Sequence, residues 1–335
     1  MTPLAWTIVQ FALCALLILL AGVRIARYGD VIAEKTGLGG TWMGVLALAS
    51  VTSLPELITG ASSVVLFDLP DIAAGDAIGA CMLNLVILAF LDVRDPRPLS
   101  ARVHQGHVLS AGFGIVLLGI AALAMAATTR APVLGWFGLH SLIFIAVYGF
   151  AMRTIFVFER TRISQVTETL TGDLQYGEIT LSQAVTLYIA AAAVLVAAAA
   201  VLPGVAERLA AQTGLNASFV GSILVAAATT LPEAVVSIAA ARLGAMDMAL
   251  GTLFGSNLFN MAMLGVDDVL YVRGPLLPAV DSAHAISAVA AIIMSGIAVI
   301  GLTMRAQRKR YRTSWDSLAI VATYVVGVAL LYLSR

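Results

Sequence analysis

The chain has 335 residues, 60% of them apolar and 11% charged, with a formal net charge of zero and a mean hydropathy of +0.98. A soluble domain carries about 25% charged residues, so this composition excludes a soluble globular protein, and a net charge of zero gives no argument for a nucleic-acid partner. The two cysteines, Cys14 and Cys81, lie in apolar runs, which predicts free thiols rather than a disulfide framework.

In chain order, the apolar runs predict ten membrane-spanning helices, at 4–23, 40–67, 71–91, 107–129, 132–158, 179–202, 216–243, 247–266, within 275–304 and within 317–333. Each is near the length that about 30 Å of hydrocarbon requires, and a spanning segment must satisfy its own backbone, which predicts helices throughout. The first run lacks the preceding positive residues of a signal peptide and reads as an uncleaved span. The polar stretch 159–178 is too short for a further globular domain. His104 and His107 are expected in a solvated loop. His140 and His284 are expected inside the bundle, with Asp281 a local partner for His284.

The chain repeats itself. Glu56, Pro55, Leu54 and Thr52 fall on Glu233, Pro232, Leu231 and Thr229 at an offset of 177, as Thr36-Gly37-Leu38 falls on Thr213-Gly214-Leu215. With one residue dropped in the second copy, Asp71, Gly75, Gly79 and Asn84 fall on Asp247, Gly251, Gly255 and Asn260. With the N-terminus outside, 15 of the 19 Lys and Arg lie on the inside, leaving Arg130, Arg208, Arg273 and Arg335 outside. This positive-inside bias sets the orientation. The predicted fold class is therefore an all-α polytopic membrane protein of two inverted five-helix repeats, 1–158 and 179–335, joined by a cytoplasmic connector 159–178, with both termini extracytoplasmic. The short connector and the lack of a targeting sequence favour a prokaryotic inner membrane.

Each repeat carries a glutamate in mid-span, where a carboxylate costs about 2.5–3.5 kcal/mol on insertion scales. No Lys or Arg lies at matching depth to neutralise Glu56 or Glu233. On a helix Thr52 and Ser53 share a face with Glu56, and Thr229 and Thr230 with Glu233. Pro55 and Pro232 lack an N–H and so free the carbonyls of Val51 and Ala228. Clusters of hard oxygens suit calcium and also sodium; a proton relay through the same carboxylates is a variant. In the third and eighth spans Gly75/Gly79 and Gly251/Gly255 allow close helix approach. Asp76, Ala80 and Asn84 share a face there, matched by Thr252, Ser256 and Asn260.

Thr52–Leu57 (TSLPEL), Thr229–Ala234 (TTLPEA) and Gly255–Asn260 (GSNLFN) resemble the two alpha-repeats of the calcium/cation antiporter superfamily, the sodium/calcium exchangers. The resemblance covers the whole ten-span plan. It implies alternating access at a midplane site, with calcium exchanged for sodium or protons and no cofactor. Glu56 and Glu233 would be the central ligands. Thr52, Ser53, Thr229 and Thr230 would line the calcium and sodium sites, and Ser256, Asn84 and Asn260 would complete them. The implied partners are the bilayer and small inorganic cations, with no nucleic acid and no obligate protein partner. Three positions depart from the family pattern. Ala80 stands where it has Ser, Asn260 where many exchangers have Asp, and Asp76 where it usually has Asn. Asp76 is expected either to replace part of the lost charge, from the outer side of the site, or to lie at the mouth. Two glutamates balance one calcium, two sodium ions or two protons, so the sequence predicts altered sodium coupling, proton coupling or electroneutral exchange. A cation channel lining itself with polar residues is the less favoured alternative, and no HExxH or triad spacing supports an intramembrane enzyme.

Overall fold

A computed structural model describes residues 2–36, 52–94, 99, 106–127, 132–169, 178–304 and 314–334. The helices are α1 (Pro3–Thr36), α2 (Leu54–Leu66), α3 (Pro70–Arg94), α4 (Gly106–Ala127), α5 (Leu139–Thr169) and α6 (Leu181–Thr213). They continue with α7 (Ala217–Thr229), α8 (Leu231–Arg242), α9 (Met246–Leu270), α10 (Leu276–Ala279), α11 (His284–Thr303) and α12 (Trp315–Leu333). Eight of them are long and apolar enough to cross a membrane, and the bent pair α7–α8 makes a ninth. The expected second span, 40–67, lies within the described residues only from Thr52 onward, as α2. The protein is thus an integral membrane protein, and its regular secondary structure among the described residues is all helical apart from one small hairpin.

That hairpin corrects the expected fifth span. Val133–Leu134 pairs antiparallel with Phe137–Gly138, and α5 begins only at Leu139. Gly135 takes φ 70 at the first turn position, which suits a tight hairpin and interrupts helix. At its other end α5 runs on to Thr169, well into the expected connector. Similarly α1 and α6 continue to Thr36 and Thr213, past the apolar runs that define their spans. The sixth span gains a capping box, with Thr180 and Gln183 exchanging side-chain and backbone bonds, which satisfies two of the free N-terminal donors.

The two most buried spans are α3 and α9, 78% and 72% buried, against 22% for α1 and 17% for α5. The repeat-related helices α3 and α9 therefore form the centre, and the outer helices face lipid with side chains such as Leu123, Phe150 and Val157. The repeat-related pair α1 and α6 is antiparallel: Gln10 meets Arg208, Gly22 approaches Leu195, and Gly29 approaches Tyr188. Two copies of one sequence thus cross the molecule in opposite directions.

The turns that follow α2 and α8 match as well. Asp68 has φ 58 and Gly244 φ 82, and they correspond at the 176 offset. The residue missing from the second copy is therefore missing from the helix after the glutamate, α2 having 13 residues and α8 having 12. Asp68 is tied to Arg273 by an ion pair.

Close packing depends on α3. A Cβ at Gly75 would stand 2.8 Å from the Ser222 backbone nitrogen, and one at Gly79 would run into the Ser222 carbonyl. Ser222 lies in a π-helical stretch of α7, Val220–Val225, a bulge of the kind that often marks functional helices. The counterpart stretch before Glu56 lies outside the described residues. Gly79→Ala should destabilise the detergent-solubilised protein by about 1–3 kcal/mol, because the obstacle is backbone. Gly119→Ala on α4, where nothing lies within 4 Å, should be neutral or stabilising. Thermal unfolding of the two variants side by side checks this.

Candidate cation-binding site

The site forms where the acidic helices break. Thr230 separates α7 from α8, which meet at 46°, and Pro232 in the first turn of α8 cannot donate to Ala228. In the other half Ser53 precedes α2, with Pro55 in its first turn; Val51 lies outside the described residues. Glu56 and Glu233 are 4% and 0% exposed.

Each half supports the other's carboxylate. Ser53 Oγ donates to Glu233 Oε1 at 3.0 Å, and Thr230 Oγ1 donates to Glu56 Oε1 at 3.3 Å. Ser53 and Thr230 correspond at the 177 offset, so these are one contact made twice. Ser256 Oγ lies 2.9 Å from Ser53 Oγ and extends the chain of hydroxyls to α9. Thr52 and Thr229 are buried beside them, at 1% and 0% exposure.

Asp76 is not at the mouth. It is buried on α3 and accepts from Thr229 Oγ1 at 2.8 Å. Its repeat mate Thr252 instead bonds to the Met248 carbonyl of its own helix.

Asn84 and Asn260 are buried on α3 and α9. Asn84 Nδ2 donates to Asn257 Oδ1 at 2.9 Å, and Asn257 Nδ2 donates to the Cys81 carbonyl at 3.4 Å. Asn257 was not among the expected ligands, although it stands in the same GSN motif as Ser256. Its repeat mate is Cys81, which is free, as is Cys14.

Around the two glutamates, among the described residues, five buried oxygens are left without hydrogen-bond partners: Glu56 Oε2, Glu233 Oε2, Asp76 Oδ2, Asn84 Oδ1 and Asn260 Oδ1. An unsatisfied buried polar group costs about 1–3 kcal/mol, more when charged. Among the described residues neither glutamate is in an ion pair with Lys or Arg. Carboxylate, amide and hydroxyl oxygens without basic partners suit a hard cation. Among the described residues, no three carboxylate, histidine or cysteine side chains form a metal cage by themselves, so hydroxyls, amides and backbone must complete the coordination.

Of the histidines, His107 departs from expectation, whereas His140 and His284 lie inside the bundle as expected. His107 is buried at the start of α4 rather than solvated, and its Nε2 lies 3.1 Å from Asp247 Oδ1; His104 lies outside the described residues. His284 is fully buried, and its Nε2 lies 3.1 Å from Asp71 Oδ1. Asp281 instead receives the Ala283 N–H and gives its own N–H to Asp71. His107 and His284 correspond at the 177 offset, and Asp247 and Asp71 at 176. One His–Asp pair has therefore formed twice, a match the repeat spacing contained. His140 is buried, 3.6 Å from Asp268.

Comparison with known proteins agrees with this architecture. The chain is 25% identical, over 93% of its length and 91% of the relative's, to an uncharacterised membrane protein of Methanocaldococcus jannaschii. Its fold is similar to that of the H+/Ca2+ exchanger CAX, with TM-score 0.71 at 15% identity, covering 98% of this chain and 86% of that one. It is also similar to the sodium-calcium exchanger NCX_Mj, with TM-score 0.57 at 19% identity, covering 98% and 99%. The sequence pattern of the sodium/calcium exchanger protein family matches residues 6–157 and 183–333. The chain therefore belongs to that family and is a membrane-embedded ion antiporter, not an enzyme.

Proposed function

We propose that the chain exchanges calcium for sodium by alternating access at the site between α2, α3, α7, α8 and α9. The observation that carries this is the pair of glutamates, each held by a hydroxyl from the other half and each presenting an oxygen that no group among the described residues satisfies. Glu56 and Glu233 are the central ligands. Thr52, Ser53, Thr229, Thr230 and Ser256 supply hydroxyl and carbonyl oxygens, and Asn84, Asn260 and Asp76 complete the set. Cation binding neutralises the two carboxylates and lets the bent acidic helices close on each other.

The reading includes ten spans in two inverted repeats, 1–158 and 179–335, with both termini extracytoplasmic and the chain in a prokaryotic plasma membrane. The antiparallel run of α1 along α6 supports the inversion, and the distribution of Lys and Arg supports the orientation.

Coupling to protons is the second reading. Ala80 removes a hydroxyl and Asn260 a carboxylate from the family's set, which weakens the case for three sodium ions. In this reading Glu56 and Glu233 carry calcium in one direction and protons in the other.

Calcium-45 uptake into proteoliposomes decides between them, with an outward sodium gradient and an outward proton gradient imposed in turn. Sodium-driven uptake supports the first reading, and uptake driven only by protons supports the second. No uptake under either gradient would overturn both. Glu233→Gln and Glu56→Gln should each remove at least about 3 kcal/mol of calcium binding, roughly a hundredfold or more in affinity. Asp76→Asn should weaken calcium half-saturation about tenfold if Asp76 replaces the charge missing at Asn260; unchanged transport in that variant would remove Asp76 from the ligand set.

A further inference from the structure

Asp267 and Asp268 are adjacent at the end of α9 and do opposite things. Asp268 accepts hydrogen bonds from the Leu276 and Gly138 backbone N–H groups and from the Ser141 hydroxyl. It clamps the turn after α9 to the start of α5, as Asp92, its repeat mate, clamps Leu99 and Ser314. Asp267 is 2% exposed, yet its Oδ1 has no hydrogen-bond partner. A structural carboxylate buried this deeply would be saturated like its neighbour.

Its place is specific. The Asp267 carboxylate fills the space that a Cβ on Gly60 would occupy, and Gly60 lies one turn beyond Glu56 on α2. Asp76 accepts from Thr229, whose chain neighbour Thr230 donates to Glu56. The three carboxylates thus form a series leading from the site toward one face. That face carries the Asp68–Arg273 ion pair and the Asp71–His284 pair, where α2 ends, α3 begins and α9 ends.

The repeat makes the series one-sided. Asp76 corresponds to Thr252, Asp267 to Leu91 and Gly60 to Ser237. Asp76 precedes the site on a helix entering from this face, and Asp267 follows it on a helix leaving toward this face. Both added carboxylates therefore fall in the same half of the path. Their mates in the opposite half are a hydroxyl spent on its own helix and a buried leucine.

We propose that Asp267 is a cation-binding station on one half of the transport path, lying between the central site and the face that bears Asp68 and Arg273. Its occupant is the divalent cation in transit, held by the Asp267 carboxylate and drawn by Asp76. Among the described residues the matching positions of the opposite half, Thr252 and Leu91, offer no such carboxylate, so the two faces differ in their apparent affinity for the same ion. This rests on the exchanger reading above.

The test is calcium-45 transport by the full chain in oriented proteoliposomes, with calcium varied at one face at a time. Asp267→Asn, which keeps the side chain's shape, should raise the half-saturating calcium concentration about tenfold at the Asp68 face and leave the other face unchanged. Gly60→Ala, whose methyl would displace the Asp267 carboxylate, should shift the same face in the same direction. The double variant should then be no worse than the more affected single one, since both remove one interaction. Equal shifts at both faces, or none, in a wild-type background that transports calcium would overturn the station alone. A wild-type chain that carries no calcium under either gradient would overturn the exchanger reading and the station with it.

Discussion

Two carboxylates buried in the middle of a membrane protein, without a basic partner among the described residues, constrain everything around them. The free energy of holding Glu56 and Glu233 there is offset only if hydroxyls, amides and an arriving cation take the place of water. Hydroxyls reach them because the acidic helices break at Ser53 and Thr230. The breaks are tolerated because α3 packs its glycines against the backbone of α7, shielding irregular main chain from lipid. Removing the carboxylates would leave the prolines, the π-helical bulge and the glycine contacts as costs with nothing to offset them.

On this symmetric frame the chain places unsymmetric charge. Paired features perform structural work in both halves: the His–Asp pairs, the aspartate clamps at the ends of α3 and α9, and the left-handed residues Asp68 and Gly244. Unpaired features, namely Asp76, Asp267 and Asn257, all lie on the central helices α3 and α9. Duplication built the scaffold, and single substitutions on its two innermost helices distinguish one direction from the other.

Much of this was legible in the sequence because the repeat offset works as an internal alignment. It located both glutamates, their flanking threonines and serine, and the central glycines, and an apolar run of sufficient length reports a span without knowledge of its neighbours. What was not legible depends on contacts between distant segments. Nothing local tells that Ser53 serves Glu233 rather than Glu56, since it could face either. His107 read as solvated because the residues around it are polar, and only the fold brings Asp247 over it. Asp267 lies one position past the expected end of its span, and nothing in the sequence singled it out; the helix continues to Leu270 and buries it. Gly135 turned the start of the fifth span into a hairpin because its positive φ outweighs the apolar character of Val133 and Leu134.

The exchange of hydroxyls between halves also bears on how the protein is made. Thr230 follows Glu56 by 174 residues. At about 5–20 residues per second of synthesis, Glu56 enters the bilayer roughly 10–35 s before the hydroxyl that will hold it exists. Through that interval the first acidic helix has neither its donor nor the opposing repeat. The paired site therefore exists only once the second repeat has inserted and closed against the first.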